Sequence, residues 1–350
     1  MNGKVTYIYP IKHRVSFTLV ARQYIKYLRQ WGIEIEEVDE REIKPEKLNK
    51  VTIVHPIFYI LYSNHAKVLR VLIENTETLI GFDVCDTNHI SPLASYTASQ
   101  FDVVCVPTTY TKEVFLKSGV MTHIEVIPHG VDEIFLRKDV QPKDDDVKRI
   151  SELRGFKVLF FLWHSGFRKG ADVVANAFAR LAKKYNNVYL IVKCVDIIDP
   201  FTQFLFFVPN TIFIFKWLSL EDLVALYDAV DLVVVPSRGG GFEINALESL
   251  CREKPVIVSE WGAFNDYCSN CIKVRTRKLV KTFEFDPLSK WIHDGYGVDP
   301  DPIDLAEKIE YVMNNYDDVI KHYKPIFENA KKYTWENVTK KLYDLLKRYI

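Results

Sequence analysis

The sequence predicts an α/β protein built of two tandem doubly wound, Rossmann-like domains facing a cleft. Three observations carry this expectation. Short apolar runs alternate with segments of helical period, which is the rhythm of βαβ units and a mostly parallel sheet. The rhythm breaks once, in the charge-rich stretch "RKDVQPKDDDVKRISELRGF" (137–156), and then restarts. The chain has 350 residues, more than one typical domain. The expected division is 1–145, 146–333 and a final helical segment, 334–350, packing back on the first domain.

Taken in order, "VTYIYP" (5–10) reads as a strand and "FTLVARQYIKYLRQWG" (17–32) as a helix closed by Gly32. "IEIEEV" alternates like a strand. "VTIV" (51–54), "LIGFDV" (79–84), "DVVCVP" (102–107) and "IEVIPH" (124–129) follow as further strands. After the charged break come "KVLFFLW" (157–163), a helix over 170–185, "VYLIV" (188–192) and "TIFIF" (211–215). A helix over 219–229 opens on Ser219 with Asp222 three residues on, a capping-box spacing. "DLVVVP" (231–236), a helix over 243–252 and "PVIVS" (255–259) complete the second set. The last helix carries Trp335, Val338, Leu342, Leu345, Leu346 and Tyr349 in one apolar stripe. The acidic run Asp144 to Asp146 reads as a solvated face. "FLFFVPNTIFIF" (204–215), interrupted by Pro209 and Asn210, reads as two buried pieces around a turn, too short to cross a bilayer as one helix.

Composition excludes several classes. Hydrophobic residues make up 48% and charged residues 26%, with 46 basic against 46 acidic side chains, so no global field points to nucleic acid. The N-terminal stretch lacks the long apolar core of a signal peptide, and the expected location is cytoplasmic. Of six cysteines only Cys268 and Cys271, in "YCSNC", stand close. No second ligand pair follows at zinc spacing, which leaves a local disulfide or two plain thiols, with a redox pair as the alternative.

The chemistry concentrates in stretches that follow strands. "PSRGGGFEINALES" (236–249) sets three glycines between an apolar strand and a helix that carries Glu243 and Glu248. Glycine permits positive φ and close backbone approach, and a helix start offers unpaired N–H groups, so the pattern suits an anion cradle. "LWHSGFRKGADVV" (162–174) runs from a strand into a helix with Arg168 and Lys169 at the turn. "GFDVCDTNHISPL" (81–93) opens a loop with Asp83, Asp86 and His89.

The ordered set "VIPHGVD", "GFRKGAD" and "PSRGGGFEINALESLCREKPVIVSEWG", with the closing "YTWENV", resembles the retaining nucleotide-sugar glycosyltransferases of family 4. The resemblance covers most of the chain from about residue 80 onward and is strongest in the second domain. It implies the two-domain architecture called GT-B, and transfer of a sugar from a nucleotide-diphosphate sugar to an acceptor hydroxyl on a glycan, lipid or protein-linked group. It further implies retention of the anomeric configuration. No Asp-x-Asp stands in a strand-end loop to hold a divalent metal against a diphosphate, Asp299-Pro-Asp301 reading as a proline-rich turn late in the chain, so neither cofactor nor metal is expected.

Lys169 falls where relatives hold a phosphate-binding lysine, with Gly166 in the same loop. His164 or Arg168 stands in for an arginine that relatives carry several residues earlier. Glu248 matches a glutamate that holds ribose hydroxyls. The family's first glutamate falls here at Gly240, so Glu243 is expected to take over its work beside Gly241, Phe242, Ile244 and Asn245. Trp217 and Leu218 lie where the base is held. Asp83, Asp86 and His89, with Lys12 and His13 of the first loop, are expected on the acceptor side, Asp86 acting on the acceptor hydroxyl. The rival from another class is a catalytically silent nucleotide-sugar-binding or scaffold subunit. The sequence leaves contact with a membrane surface, and the oligomeric state, open.

Overall fold

The computed structural model describes residues 4–62, 64–162, 165–195, 200–286 and 288–350. The chain divides into two compact units. One is made of Met1–Gly130, Leu288–Gly295 and Tyr333–Ile350, the other of Val131–Pro287 and Tyr296–Lys332.

The first unit is built on six parallel strands, β1 (Lys4–Tyr9), β2 (Glu34–Asp39), β3 (Val51–Val54), β4 (Thr78–Phe82), β5 (Val103–Val106) and β6 (His123–Val126). Their order is β2-β1-β3-β4-β5-β6. Helices α1 (Ser16–Gln30), α2 (His65–Asn75), α3 (Pro92–Ala98) and α4 (Thr109–Lys117) make crossovers between strands. The inner strands are apolar on both faces, as a sheet covered on both sides requires. The C-terminal helix (Trp335–Leu346) packs on α1, with Trp335 edge-to-face on Tyr24 at 5.6 Å. Trp335, Val338, Leu342, Leu345 and Leu346 are buried, whereas Tyr349 lies beyond the helix end and is exposed.

The second unit repeats the plan with β7 (Phe156–Phe161), β8 (Val188–Cys194), β9 (Thr211–Phe215), β10 (Leu232–Val235), β11 (Val256–Ser259) and β12 (Ile272–Val274). The order is β12-β11-β10-β7-β8-β9, again parallel, with the direction of winding reversing between β7 and β10. Its helices are α5 (Asp145–Glu152), α6 (Gly166–Lys169), α7 (Ala171–Leu181), α8 (Leu220–Ala229), α9 (Ile244–Cys251), α10 (Asn265–Cys268), α11 (Pro302–Asn314) and α12 (Tyr316–Ala330). An antiparallel pair, β13 (Thr276–Val280) and β14 (Gly297–Pro300), flanks the excursion that carries 288–295 into the first unit.

The boundary falls at 130/131 rather than 145/146, for a physical reason. The carboxylate of Asp222 accepts the N–H groups of Lys143 and Asp144, and Arg252 donates to the carbonyls of Phe135 and Arg137. Residues 131–145 are thereby tied to the second unit. Ser219 caps α8 through the N–H of Asp222 at 3.0 Å, as the spacing predicts. Asp144 caps α5, and with Asp146 it pairs Lys216. The stretch 204–215 departs from expectation. It forms a 3-10 turn followed by an edge strand, and Phe204, Phe206, Phe207 and Phe215 are exposed. The edge position of β9 leaves one flank of the strand without a neighbour, so the phenyl rings stack on one another instead, Phe206 on Phe213 at 4.7 Å and Phe213 on Phe215 at 5.1 Å. Cys268 and Cys271 form a disulfide, while Cys85, Cys105, Cys194 and Cys251 are free thiols, all buried. No helix among the described residues is long and apolar enough to cross a membrane.

Candidate functional site

In open parallel sheets, ligands bind outside the carboxyl ends of the strands where the winding reverses. In the second unit that place is defined by the loops after β7 and β10, which hold Lys169 and the glycine triplet.

The loop after β7 turns through Ser165, a left-handed residue with φ 61°, into the single turn of α6. Gly170 ends α6 at φ +80°, and a Cβ there would collide with the carbonyl of Pro236. Only glycine fits, and the loop therefore packs directly onto the end of β10. Lys169, at the end of α6, reaches Glu243 with Nζ at 2.7 and 2.6 Å from its two carboxylate oxygens. The carboxylate is buried, and the ammonium is partly exposed.

Glu243 occupies the N-cap position of α9 rather than its first turn, and its side chain makes no capping bond. Its backbone is extended, which sends the side chain to Lys169. Its carbonyl accepts the Tyr267 hydroxyl at 2.9 Å, and Phe242 stacks on the Tyr267 ring at 4.8 Å. Among the described residues the positive-φ glycines are 32, 119, 155 and 170, so the triplet Gly239–Gly241 does not use left-handed backbone. At Gly240 the approaching group is Glu243 itself: a Cβ there would overlap its Oε1. The indole N–H of Trp261 holds the Gly240 carbonyl at 2.8 Å.

Arg168 does not stand open as a cation. It is 9% exposed, its Nη1 donates to the Gly239 carbonyl at 3.1 Å, and its guanidinium lies over Phe283. Arg238, which the sequence reading passes over, is the hub of the loop. Its guanidinium is nearly fully buried and spends its donors on Asp172, Asp299 and the Phe167 carbonyl. The ring of Phe167 lies 4.0 Å beneath it. Arg277 pairs the second oxygen of Asp299, so two cations face two anions. The backbone of Arg238 joins in, its N–H donating to the Arg168 carbonyl and its own carbonyl accepting from Val298. Such fully satisfied buried networks rigidify what they touch. Asp299, expected in a proline-rich turn, is thus a buried partner, and Asp301 caps α11. A signal for Arg238 was present: an arginine directly after an apolar strand and before a glycine loop has few ways to be solvated.

Glu248 lies one and a half turns into α9. Tyr227 donates its hydroxyl to the carboxylate at 2.7 Å. Burial pushes this carboxyl up to about 7, and the Tyr227 hydroxyl opposes the shift. Ile244 and Asn245 open α9, with Asn245 giving its carbonyl to the same hydroxyl. Trp217 and Leu218 follow β9, with Trp217 43% exposed. Gly166 starts α6 and is buried. It borders a cavity of about 540 Å³ lined also by Phe167, Arg168, Phe201, Thr282 and Phe283, a volume in the range of small-molecule sites. His164 lies outside the described residues. Among the described residues no group of three His, Cys, Asp or Glu side chains is placed to hold a metal.

In the first unit the expected residues part company. Asp83 is buried and spends its carboxylate on the N–H groups of Phe58 and Val84, both at 2.7 Å. Burial pushes its pKa to about 8, opposed by those N–H groups. It shapes the loop rather than facing a substrate. Lys12 is exposed and paired with Glu42 at 2.6 Å, and His13 lies 3.9 Å from Glu40. Asp86 and His89 are half-exposed and sit on the segment 288–295. The Asp86 N–H makes a long contact with His293 Nδ1 at 3.5 Å, and His89 Nδ1 meets Asp294 at 2.7 Å.

Residues 156–315 match the family model described as Glycosyl transferases group 1. An uncharacterized protein, protein 356 of Sulfolobus islandicus rod-shaped virus 1, is 29% identical over 369 residues, covering 100% of this chain and 99% of its own. Putative glycosyltransferase 45 of a Sulfolobus islandicus filamentous virus is 28% identical over 312 residues, covering 86% of this chain and 81% of its own. Among solved structures, Anabaena HepE, described in complex with UDP and glucose, shares the fold at a TM-score of 0.70 with 14% identity, over 99% of this chain and 100% of that one. The family model thus covers residues 156–315, and the likeness to the solved structure is one of fold.

Proposed function

We propose that this chain, whose second unit matches the group 1 glycosyltransferases, moves a sugar from a nucleotide-diphosphate sugar to an acceptor hydroxyl with retention of configuration and without a metal. The UDP and glucose described with HepE support a nucleotide-sugar donor. In the reaction the bond between the anomeric carbon and a phosphate oxygen breaks, and charge grows on the leaving diphosphate. Lys169 and the N–H groups at the start of α9 are the preorganised partners for that charge. As the diphosphate takes Lys169, the carboxylate of Glu243 is released to accept hydrogen bonds from the sugar hydroxyls. Glu248 takes the ribose, Trp217 and Leu218 flank the base, and Asp86 with His89 orients the acceptor hydroxyl. The acceptor is a glycan, lipid or protein-linked hydroxyl, and a lipid-linked one would bring the protein to a membrane surface.

The observation that carries this reading is the exclusion between Gly240 and Glu243. The carboxylate occupies the space that a side chain at 240 would need, which is where relatives, by the resemblance, hold their acid. The test is an exchange of positions. Gly240→Glu alone should lose most turnover with a suitable donor from a UDP-, GDP- and ADP-sugar panel. The double variant Gly240→Glu, Glu243→Gly should recover part of it. A double variant as inactive as the single one, with both folded, would refute the substitution of one acid for the other. NMR of the first product in excess EDTA checks retention and metal independence together.

A further inference from the structure

We infer that Asp294, delivered by the chain's excursion out of the second half, is a positioning residue that fixes the tautomer of His89 and so aims its Nε2 lone pair at an acceptor hydroxyl. The inference rests on the glycosyltransferase reading above for its substrate, but its structural core does not.

The excursion is anchored firmly in the first unit. Ile292 is 2% exposed within the apolar core around Phe58, Cys85 and Ile90. Its carbonyl accepts the Ser91 N–H at 2.8 Å. His293 stands edge-to-face on Phe58 at 6.2 Å. Gly295 packs so tightly on the acceptor loop that a Cβ there would come within 2.6 Å of both the His89 N and Asn88 Oδ1. Residues 292–295 therefore form a fixed wall against 86–91, and Asp294 is held on that wall.

A carboxylate can only accept, so at 2.7 Å the proton must lie on His89 Nδ1. A neutral imidazole with Nδ1–H carries its lone pair on Nε2. That nitrogen has no protein partner among the described residues, and the side chain is 46% exposed. It is thus prepared to accept a hydrogen bond from an incoming hydroxyl. His293 shows the opposite arrangement: its Nδ1 faces the Asp86 N–H and must be unprotonated for that contact. Asp86, His89, His293 and Asp294 come from two stretches of sequence some two hundred residues apart, and they meet on one surface. No motif in either stretch announces the other.

The test has two arms. Nitrogen-15 NMR of the full-length protein near pH 8.5, about two units above the ordinary histidine pKa, should show His89 as the Nδ1–H tautomer. Asp294→Ala should shift it toward Nε2–H. A wild-type His89 found mainly as Nε2–H overturns the inference whether or not any sugar is transferred. In the kinetic arm, Asp294→Ala should lower kcat/KM for the acceptor by roughly tenfold to a hundredfold, the scale of misplacing one reacting group. Donor affinity should stay within about twofold. His89→Gln should cost about the same, and the double variant no more than His89→Gln alone, since the two act as one unit. Asp294→Asn, which keeps an acceptor oxygen, should restore most of the loss. Additive losses, or an Asp294→Ala variant with unchanged acceptor kinetics, would sink the inference. Absence of transfer by wild type with every donor and acceptor would count against the glycosyltransferase reading and leave the NMR arm to decide this one.

Discussion

The carboxyl edges of the two sheets treat ionisable groups in opposite ways. Beside β7 and β10, buried charge is paired: Arg238 against Asp172 and Asp299, with the half-exposed Arg277 adding to Asp299, and Glu243 against the partly exposed Lys169. In the first unit, three buried titratable groups, His55, His129 and Asp83, are held toward their neutral forms. His55 bonds the Tyr7 hydroxyl at 2.9 Å and stacks on Phe82, and burial holds its pKa well below the usual histidine value. Burial pushes His129 down to about 3, and Asp83 is raised to about 8. A surface that must meet a diphosphate is helped by fixed charges already desolvated and oriented. A surface that must shape a loop without attracting counter-ions is better served by neutral polar groups with hydrogen bonds.

The sharpest way to break this contrast is Arg238→Met. It strands Asp172 and leaves Asp299 to Arg277 alone, and losing one side of a buried ion pair costs about 3–5 kcal/mol. Denaturant titration should show a loss of that size, and a fully stable variant would mean the network is ornamental. Lys169→Ala should cut turnover at least about a hundredfold, the scale of one lost charge-stabilising donor. Because it also leaves the Glu243 carboxylate buried without its cation, the melting temperature should fall as well. Turnover near the wild-type rate would remove Lys169 from the site.

Acid should separate the units. The folded-state pKa values of His55 and His129 are depressed, so the stability they contribute is present above the unfolded value near 6.5 and is lost as pH falls below it. Hydrogen-exchange protection, taken relative to the intrinsic rate at each pH, should therefore fall first in α1 and the inner strands of the first unit between pH 7 and pH 5. Simultaneous opening of both units would contradict the contrast. The smallest effect expected is on nucleotide binding. Glu248 is raised to about 7 in the free protein, and ribose hydroxyls favour its ionised form. Binding should release a proton, and affinity should improve severalfold between pH 6 and pH 8. Calorimetry in buffers of different ionisation heat checks the proton count, and Glu248→Gln should flatten the trend.

Much of this was legible in the residues because the signals were local. Short apolar runs separated by helical periods stack as a covered parallel sheet, and β7 to β11 of the second unit were legible that way; β12, three residues with a central lysine, was not. Lys169 and Glu243 were legible as residue types at a turn, but their bond was not, since it joins positions 74 apart. Arg238 was illegible for the same reason: Asp172 and Asp299 are 66 and 61 residues away. The phenylalanines of 204–207 misled because hydrophobicity alone does not say which strand ends at the edge of a sheet. The excursion through 288–295 gave no sign at all, for only Ile292 in it carries a core side chain, and one residue has no period.

The chain passes between the two units four times, at 130/131, 287/288, 295/296 and 332/333. This has a consequence for how the protein is made. The ribosome finishes the first sheet early, but Ile292 and the helix beginning at Trp335 emerge much later. At synthesis rates of roughly 5–20 residues per second, the face of α1 that Trp335 covers waits on the order of fifteen to sixty seconds bare. The second unit needs nothing beyond Lys332 and can close before the last helix is out. The half that is translated first is therefore completed last, and a released chain truncated after Lys332 should hold a finished second unit and an unfinished, chaperone-binding first one.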